Sequence, residues 1–482
     1  MMTLEELVAG TEGKVLTQRA RVFDGVGTDS RADLTGKIFV ALKGDRFDAH
    51  DFLDQAVKAG ASALLVHRLA KTKEIEALLA DESVTIVQVD DTLRALQSLA
   101  TFWRRKHRAK ILALTGSNGK TTTKEFAATL IGSYRNVHFS KGSLNNHWGV
   151  PLTLLAIKPE HDIAIVEMGM NHPGELTELM KIAEPDVVMV TMVGRGHLEG
   201  LGSIDGVARA KAECYESASA KTVMIFNLEN PYTRDMFERY GRHRPAEQVL
   251  KFASVEYAGA GSWPTPDVAL GIKEMTPESM RVTGQIGGIP GETVVPIFGK
   301  QNITNLMGAV SLALAAGLPP KTIWSALPMV RTSWGRNQWV MLKSGARVLF
   351  DGYNANPESM SAAIDNFAHL KLGPGRKFAV LGEMREMGAH APQVHREIGE
   401  KAAHAGFAGI SFFGPSKADF MAGLAAGGFS KILLISDSYE ESLAPKMLPV
   451  LQDGDIVLMK SSRGMALEKA LESLEPVDFK KK

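Results

Sequence analysis

Residues 112–125 read LALTGSNGKTTTKE, an apolar run that leads into glycines, small polar residues and a lysine. A buried strand followed by a glycine-rich turn and a helix suits phosphate binding, because backbone amides at a helix N-terminus can approach an anion closely. The common phosphate-loop pattern would place a glycine at position 114, where this chain has Leu114. The pattern alone therefore leaves two interpretations open, a nucleotide-binding loop or a glycine-rich turn with a solvated lysine.

Short apolar runs alternate with polar, helix-compatible stretches along most of the chain. They cover residues 38–42, 63–66, 85–89, 111–116, 162–169, 186–194, 222–227, 378–384, 409–414, 431–436 and 455–460. Short runs bounded by turn residues predict α/β units on largely parallel sheets. The glycine-rich residues 255–300 predict antiparallel strands, and residues 302–317 have the apolar spacing of a helix.

This alternation predicts an α/β fold of three domains. A smaller α/β domain is expected over residues 1–108, and a Rossmann-like C-terminal domain over residues 331–482. Residues 109–330 are expected to form a central phosphate-loop domain with a mostly parallel sheet and a small antiparallel addition. The length of 482 residues agrees with three domains, at about 150 residues each.

Composition excludes several classes of protein. The 55 basic and 54 acidic residues give a net charge of +1, which would recruit neither nucleic acid nor an anionic membrane. No apolar segment reaches the roughly 18 residues of a membrane span, and the acidic start does not resemble a signal peptide. The single cysteine, Cys214, excludes disulfides and is predicted to be a small core residue. We expect a cytoplasmic monomer that binds neither nucleic acid nor membranes.

Further segments extend the similarity of the loop to a known family. They are NNHWGVPLTLL (145–155), EMGMNHPGEL (167–176), GRGHLEGLGSIDGVARAKAE (194–213), FGKQNITNLMGA (298–309), WGRNQW (334–339), FDGYNANPESM (350–360), LGEMREMG (381–388) and MKSSRGMALE (459–468). In this order, and together with TGSNGKTT, they resemble the Mur ligases and their folylpolyglutamate synthase relatives. The resemblance spans nearly the whole chain. It implies an ATP-dependent ligase that joins a carboxylate to an amine.

Two segments indicate a branch of this family. YNANPESM (353–360) resembles the branch that joins UDP-N-acetylmuramoyl-tripeptide to D-alanyl-D-alanine during synthesis of the peptidoglycan precursor. The region TDSRADLTGKIFVALKGDRFDAHDFLDQAVKAGA (28–61) agrees, since it resembles the UDP-binding domain shared by the tripeptide-adding and dipeptide-adding members. The Asp-Asn-Pro-Arg segment of the diaminopimelate-adding branch is absent from the sequence. Two alternatives stay open, a Mur ligase that adds a single amino acid and a nucleotide-binding switch module.

The chemistry of such a ligase explains the residue types of the loop. A carboxylate becomes reactive when ATP converts it to an acyl phosphate, and an amine then displaces the phosphate. Both steps gather negative oxygens, so the site needs cations and positioned donors rather than a protein nucleophile. Lys120 would reach the terminal phosphates of ATP, and the Thr121 hydroxyl would hold Mg²⁺. The other loop residues expected to contact the nucleotide are Gly116, Ser117, Asn118, Gly119 and Thr122.

Three further residues are candidates for the catalytic and metal-binding site. Glu167 ends an apolar strand, where open α/β sheets bind ligands, and is predicted to ligate a second Mg²⁺; a surface glutamate is the alternative. The resemblance implies that His197 faces the same metal, although a lone histidine is more often structural. It also implies that Lys211 reacts with carbon dioxide to form a carbamate ligand, whereas a mid-helix lysine is by default solvated. Because only a neutral amine reacts, the site would have to lower the pKa of Lys211.

The resemblance also implies nucleotide contacts in the later part of the chain. Asn305 would contact adenine, Arg336 and Asp351 the α-phosphate or ribose, and Asn354 with Asn356 the base. Asparagine also suits turns on its own account, so a structural role stays open. Gln338 stands where the family often has a glutamate, which puts any salt bridge at that position in doubt.

Substrate contacts are expected in three other regions. Ser30 and Arg31 resemble contacts to the UDP moiety, since a planar guanidinium can bind two diphosphate oxygens. Asp29, Asp48 and His50 lie near them in the sequence. Asn145 and Asn146 belong to a segment that resembles a substrate-facing loop. His390 and His395 are candidates for the dipeptide site, although histidines on a helix surface are the favoured interpretation.

Overall fold

The computed structural model describes residues 1–44, 47–69, 84–140, 142–258, 264–370, 374–439, 442–477 and 479. Among these residues, sheets of five, nine and six strands follow one another along the chain. The predicted α/β fold with mostly parallel sheets is confirmed. The domain boundaries near residues 108 and 330 stay predictions. No helix in the described ranges is long and apolar enough to cross a membrane.

The first sheet lies in the N-terminal part of the chain. Its strands, in spatial order, are Lys14–Thr17, Thr85–Gln88, Ala63–Val66, Ile38–Val40 and Val26–Gly27. The first pair is antiparallel and the remaining pairs are parallel. A separate antiparallel pair joins Met2–Thr3 to Val22–Phe23. The helices of this part are Leu4–Thr11, Leu53–Lys58 and Thr92–Lys106.

The central sheet contains the loop quoted above. Its strands, in spatial order, are Val137–Phe139, Ile163–Glu167, Lys110–Thr115, Val187–Val190, Val223–Asn227, Val249–Ser254, Val268–Met275, Met280–Ile286 and Ile289–Val295. Strands from Val137–Phe139 to Val268–Met275 run parallel, and the last two pairs are antiparallel. The last hairpin turns at Gly287 and Gly288, whose φ angles of 54° and 79° suit the tight turn that twisted antiparallel strands favour.

Helices cover both faces of the central sheet. They are Lys120–Gly132, Gly149–Leu155, Glu175–Ala183, Leu198–Leu201, Ile204–Glu216, Pro231–Met236, Val255–Ala258, Gln301–Ala315 and Pro320–Ala326. In the Lys110–Thr115 strand, Ile111 and Ala113 enter one apolar core, whereas Leu112 and Leu114 enter the opposite one. Successive side chains of a strand point to opposite faces, so a continuous apolar run fits a sheet that is buried on both sides.

The third sheet lies in the C-terminal part of the chain. Its strands, in spatial order, are Gln338–Met341, Arg347–Asp351, Ile456–Lys460, Lys377–Gly382, Gly409–Phe413 and Ile432–Ser436. Only the first pair within this sheet is antiparallel. The helices of this part are Pro357–Ala368, Ala391–Ala403, Lys417–Ala426, Leu443–Met447 and Leu467–Ser473.

Each predicted apolar run coincides with a strand of one of these three sheets. Several other strands of the sheets were not predicted from such runs. The strands Lys14–Thr17, Val137–Phe139, Val249–Ser254 and Gln338–Met341 were missed. All four contain half-buried or exposed positions, so a purely apolar signal could not find them. Val268–Met275 pairs in parallel on one side and antiparallel on the other, so the change of direction begins one strand later than predicted.

Candidate active site

The loop after the Lys110–Thr115 strand lies at the carboxyl edge of the central sheet. Ser117 is held there by a backbone bond to Met192 and by two 3.0 Å hydrogen bonds between its hydroxyl and Gly194. The Thr191 hydroxyl donates to the Asn118 carbonyl at 2.5 Å. The turn after the Val187–Val190 strand therefore fixes the loop before the Lys120–Gly132 helix begins.

The two loop glycines have no room for a side chain. Gly116 has a φ of 151°, and a Cβ there would lie 1.8 Å from Thr191 Oγ1. Gly119 has a φ of 82°, and a Cβ there would lie 2.1 Å from Asn305 Oδ1. The missing glycine at position 114 is explained by burial, because Leu114 is a core residue of the strand and not part of the turn.

Lys120 and Thr121 begin the helix with their side chains in the loop region. Lys120 Nζ donates to the Gly116 carbonyl at 2.7 Å, so the ammonium folds back over the loop. Burial lowers the pKa of Lys120, and nearby Arg336 acts in the same direction. The Thr121 hydroxyl lies 3.2 Å from the Ser143 hydroxyl, which in turn lies 3.0 Å from that of Tyr353. A row of hydroxyls thus connects the central sheet to the C-terminal part.

Glu167 is buried at the end of its strand, so the alternative of a surface glutamate is wrong. Asn145 Nδ2 donates to its Oε1 at 2.9 Å. Lys124 Nζ lies 3.4 Å from its Oε2, and both side chains of this ion pair are at most 1% exposed. Lys124 was missed in the sequence. The sequence feature that could have identified Lys124 is its position three residues after Thr121, which places both side chains on one face of the helix.

The surroundings of Glu167 fit a divalent cation. Its Oε2 accepts no hydrogen bond from any described residue, although it is buried. Magnesium prefers carboxylate and hydroxyl oxygens together with substrate phosphates, so such a site does not require a cage of protein ligands. The described residues contain no group of three or more His, Cys, Asp or Glu side chains that could hold a metal by themselves.

His197 follows the Val187–Val190 strand in a left-handed conformation, with φ of 59°. Its Nδ1 lies 2.9 Å from Glu386 Oε2, which belongs to the C-terminal part. Burial lowers the pKa of His197 although Glu386 opposes the shift, and Lys120 and Lys211 contribute to the lowering. A neutral imidazole at this position can accept a hydrogen bond or bind a cation.

Lys211 is not the solvated lysine that its mid-helix position suggests. It lies in the Ile204–Glu216 helix and is 1% exposed. No hydrogen bond or ion pair joins its ammonium to another residue in the described part of the chain. Burial lowers the pKa of Lys211 far below its ordinary value, and nearby Lys120 adds to the effect. Cys214 on the same helix is a buried core residue, as predicted, and burial raises its pKa to about 12.

The C-terminal part contacts the loop directly. The side-chain amides of Asn118 and Asn356 form two hydrogen bonds with each other, and Asn356 also caps the Pro357–Ala368 helix. Arg195, another residue that was missed, forms ion pairs with Glu358 at 2.9 Å and Glu397 at 2.7 Å. These contacts join the carboxyl edges of two sheets that lie far apart in sequence.

The predicted nucleotide-contacting residues lie around this junction. They differ in how far their polar groups are already paired with other residues. Arg336 stacks over the Tyr353 ring at 4.2 Å, and its buried Nε makes no hydrogen bond within the described ranges. Asn305 donates to Asn302 Oδ1 at 2.9 Å and lies beside Gly119. Asp351 is paired with Lys460 at 2.5 Å, so its carboxylate already has a counter-charge.

Lys460 also donates to the Asn354 carbonyl at 2.8 Å, which leaves the exposed Asn354 amide available. Lys460 was missed, although it ends a buried strand just as Glu167 does. Gln338 Oε1 accepts a 3.3 Å hydrogen bond from the Gly335 amide, so this uncharged residue braces the turn before Arg336.

A cavity of about 210 Å³ lies between the central and C-terminal parts. Its lining comprises Ser117, Gly196, His197, Asn354, Ala355, Asn356, Arg385, Glu386, Met387, Ser462, Arg463 and Gly464. The cavity thus opens onto the phosphate loop on one side and onto strand ends of the third sheet on the other. Both histidine and arginine side chains can contact a ligand there.

The N-terminal candidates lie on another surface. Arg31 is exposed and bonded in fork geometry to Asp29 at 2.8 and 2.9 Å, and this contact lowers the pKa of Asp29 to about 2. Ser30 donates to Gln55 Oε1 at 3.1 Å. His50 is buried. Its Nδ1 contacts Asp48 Oδ1 at 2.7 Å, and its Nε2 accepts a hydrogen bond from the His67 amide. Because both ring nitrogens already have partners, His50 has a structural role.

Three candidates near substrate loops are also located by the structure. Asn146 Oδ1 accepts from the Gly149 amide at 2.9 Å, which starts the following helix. His390 is exposed and its Nε2 lies 3.3 Å from the Gly202 carbonyl. His395 is completely buried, and its Nε2 accepts from the Met384 amide at 3.0 Å. Its interpretation as a helix-surface histidine is wrong, because that face of the helix packs against the sheet.

Comparison with known proteins identifies the family. The Mur ligase middle domain matches residues 114–313, the Mur ligase glutamate ligase domain matches residues 335–463, and the Mur ligase family catalytic domain matches residues 22–104. The UDP-N-acetylmuramoyl-tripeptide–D-alanyl-D-alanine ligase of Bacillus subtilis strain 168 is 32% identical over 98% of this chain and 97% of that protein. This chain belongs to the Mur ligase family.

Solved structures resemble this Mur ligase over its whole length. A crystal structure of MurF from Acinetobacter baumannii is 29% identical, with a TM-score of 0.85 and coverage of 98% of each chain. MurF ligase from Thermotoga maritima, solved in complex with ADP, is 27% identical with a TM-score of 0.76, over 95% of this chain and 97% of that one. The fold of this Mur ligase is therefore shared with the MurF enzymes of Acinetobacter baumannii and Thermotoga maritima.

Proposed function

We propose that this Mur ligase uses ATP to join the tripeptide carboxylate of UDP-N-acetylmuramoyl-tripeptide to the amine of D-alanyl-D-alanine. The products would be UDP-N-acetylmuramoyl-pentapeptide, ADP and phosphate. The observation that carries the proposal is the similarity to the Bacillus subtilis ligase of that name over 98% of the chain. The geometry agrees, because the phosphate loop faces a cavity shared with the C-terminal part.

The phosphate loop would bind the ATP phosphates. Lys120 would leave the Gly116 carbonyl and turn its ammonium to the phosphates, while loop amides contact the oxygens. Gly116, Ser117, Asn118, Gly119, Thr121 and Thr122 would complete the contacts. Cations and amide donors that are already in place stabilise charge developing on the γ-phosphoryl group, which lowers the barrier to its transfer.

We assign the other side of the nucleotide to residues of the later segments. Asn305 lies beside Gly119 and would contact adenine. Arg336 has a buried Nε with no hydrogen bond to any described residue, and this group would reach the α-phosphate. The side-chain amide of Asn354 has no hydrogen-bond partner among the described residues and would contact the base. Asp351 would act together with Lys460, since the two side chains form an ion pair.

Magnesium would be held by oxygen and nitrogen ligands at the edge of the central sheet. The residues assigned to it are Thr121, Glu167, His197 and Lys211 as a carbamate. When bound, the metal would neutralise the phosphate and carboxylate oxygens that gather in both steps. Glu167 Oε2, which accepts no hydrogen bond within the described ranges, supports this assignment.

The carbamate of Lys211 is a part of this proposal with its own support. The neutral amine would attack carbon dioxide, form an N–C bond and release one proton, so that the uncharged side chain becomes anionic. Burial, a lowered pKa and the lack of a bonded partner among described residues favour the neutral amine that this step needs.

The three regions would divide the substrates between them. Residues 1–108 would bind the UDP moiety with Ser30 and Arg31, and Asn145 and Asn146 would face the peptide. Residues 331–482 would close over the nucleotide and bring the dipeptide to the cavity. Closure would exclude water, because an acyl phosphate that is exposed to water hydrolyses before the amine reacts.

Phosphate release tests the substrates directly. We expect release that requires ATP, Mg²⁺, UDP-N-acetylmuramoyl-tripeptide and D-alanyl-D-alanine together, with omission of any one reducing it to background. Activity with D-alanine or another single amino acid in place of the dipeptide would favour the other Mur ligase branches. Slow release that is independent of any amine would favour a nucleotide-binding switch.

Lys120→Ala tests the role of the loop. Loss of a cation that contacts the transferring phosphoryl group is expected to lower kcat by about 100-fold or more. Lys158→Ala is the matched control, since the side chain of this lysine is exposed and its ion pair with Glu160 is 4.0 Å long. Full activity of Lys120→Ala would contradict the proposed mode of ATP binding.

A further inference from the structure

Lys124 is a buried cation one helical turn beyond the phosphate loop. It follows Thr121 by three residues in the Lys120–Gly132 helix, so the two side chains share a face. Its side chain is 0% exposed and lies 3.4 Å from Glu167, whose side chain is 1% exposed. A charge in such a dry place is costly unless an opposite charge accompanies it, and each of these two residues supplies that charge to the other.

The Lys124 ammonium also contacts residues that shortly precede Asn145, which is hydrogen-bonded to Glu167. Lys124 Nζ donates to the Gly142 carbonyl and contacts the Ser140 hydroxyl at 3.5 Å. A few residues later, Ser143 contacts Thr121 and Asn145 donates to Glu167. Lys124 therefore links the Lys120–Gly132 helix to Gly142 and to the Glu167 carboxylate.

The contact between Lys124 and Glu167 leaves the carboxylate open to another ligand. Oε2 lies within ion-pair distance of the ammonium, yet it accepts no hydrogen bond from the described residues. At 3.4 Å the contact is longer than an ordinary N–H···O hydrogen bond, so a lone pair of Oε2 stays available for a metal ion. Two cations beside one carboxylate oxygen repel each other strongly at low dielectric constant.

We infer that Lys124 is the resident counter-cation of Glu167 and that a divalent cation binding at Glu167 takes over this role from the ammonium. The inference rests on the proposed metal-binding role of Glu167. The ammonium stabilises the empty site and weakens metal binding there. Phosphate oxygens of a bound nucleotide add ligands and negative charge. They therefore favour the metal ion over the ammonium as the counter-cation of Glu167. Lys124 is a positioning residue, since it acts through Glu167.

Mn²⁺ binding to the nucleotide-free protein, followed by electron paramagnetic resonance, tests this role. Lys124→Met keeps the apolar stem and removes the charge. We expect Mn²⁺ to bind this variant at least about fivefold more tightly than the wild type, the lower end of typical coupling between two sites. We also expect a lower Tm without metal and recovery of the Tm when Mn²⁺ is added. A purely structural lysine would give weaker metal binding, not tighter.

The double variant Lys124→Met/Glu167→Gln is expected to show neither the tighter binding nor the Mn²⁺-dependent recovery of Tm. Lys181→Met is the matched control, because this exposed lysine pairs with Glu178 within the Glu175–Ala183 helix, away from the phosphate-loop helix. This variant should bind Mn²⁺ as the wild type does. Equal or weaker Mn²⁺ binding by Lys124→Met overturns the inference.

Lys124→Gln covers the case in which the methionine variant does not fold, since its amide can still donate to the Gly142 carbonyl. Failure of both variants to fold with Mn²⁺ present would also overturn the inference, because the ion is expected to replace the ammonium. The proposed function is tested separately by substrate-dependent phosphate release. A wild type that shows such release, with unchanged Mn²⁺ binding in Lys124→Met, rejects the role of Lys124 alone.

Discussion

The side-chain amides of Asn118 and Asn356 exchange two hydrogen bonds, 3.1 and 2.7 Å long, although the residues are 238 positions apart. Asn118 belongs to the phosphate loop, and Asn356 begins a helix of the C-terminal part. The same Asn356 Oδ1 accepts from the Ser359 amide at 3.0 Å, so one side chain caps a helix and contacts the loop. This contact therefore links the position of the C-terminal part to the conformation of the loop.

Asn356→Asp separates these two roles. The variant keeps the oxygen that caps the helix, but it can no longer donate to Asn118 Oδ1. We expect a nearly unchanged Tm and a KM for ATP raised about three- to tenfold, which corresponds to the loss of one hydrogen bond. Ser359→Ala is the control, since it disturbs the cap without touching Asn118. An unchanged KM for ATP in Asn356→Asp would show that the amide pair does not contribute to nucleotide binding.

Gly119→Ala tests the close approach in the loop. A Cβ at this position would lie 2.1 Å from Asn305 Oδ1, and the backbone has a φ of 82°. We expect phosphate release to fall about 100-fold, because either the loop or Asn305 must move away from the nucleotide. Gly428→Ala has a similar φ of 72° and no described atom within 4 Å of the new Cβ. It should incur only the backbone strain of about 1–2 kcal/mol and retain activity.

Arg195→Met is expected to loosen the contact between the central and C-terminal parts. Arg195 bridges Glu358 and Glu397, and its half-exposed position makes the attraction sensitive to salt. Small-angle X-ray scattering should give a larger radius of gyration for the variant at low salt, and the difference from wild type should vanish at about 1 M salt, where the Debye length is about 3 Å. Arg396→Met is the control, since it contacts Asp419 only at 3.9 Å. The idea fails if the variant and the wild type scatter alike at low salt.

His50 should make stability depend on pH. Its Nε2 accepts a hydrogen bond from the His67 amide, so the folded protein requires the neutral ring there. Burial lowers the pKa of His50 below 6.5, and His67 and Arg68 add to this, although Asp48 opposes it. The unfolded chain therefore binds the proton first, and stability should be complete above about pH 6.5 and fall as the pH decreases toward the folded pKa.

The corresponding measurement is the Tm between pH 7.5 and 5.5, about one unit on either side of the ordinary histidine pKa. His50→Gln should be less stable than the wild type at high pH and should lose less Tm on acidification. His172→Gln is the control, because this ring is exposed and hydrogen-bonded to Glu175. Equal pH slopes for His50→Gln and the wild type would contradict the prediction.

The sequence by itself determined the features that depend on neighbouring residues. Apolar runs such as residues 111–116 predicted strands, because a strand buried on both faces needs apolar side chains at every position. The glycines at 116 and 119 predicted the tight loop, and the ordered family segments predicted the ligase fold. Strands with polar positions, such as Lys14–Thr17 and Val137–Phe139, carry no such local signal and were missed.

Only the tertiary structure decided which polar groups meet. Lys124 lies on a helix and Glu167 at the end of a strand. They meet because the Lys110–Thr115 strand, which precedes that helix, pairs in parallel with the Ile163–Glu167 strand. Lys211 and His395 read as solvated residues in a helix, yet packing buries both. Burial and pairing of charges depend on contacts between segments distant in sequence. The linear pattern therefore located the loop, while folding set the electrostatic environment in which its residues would act.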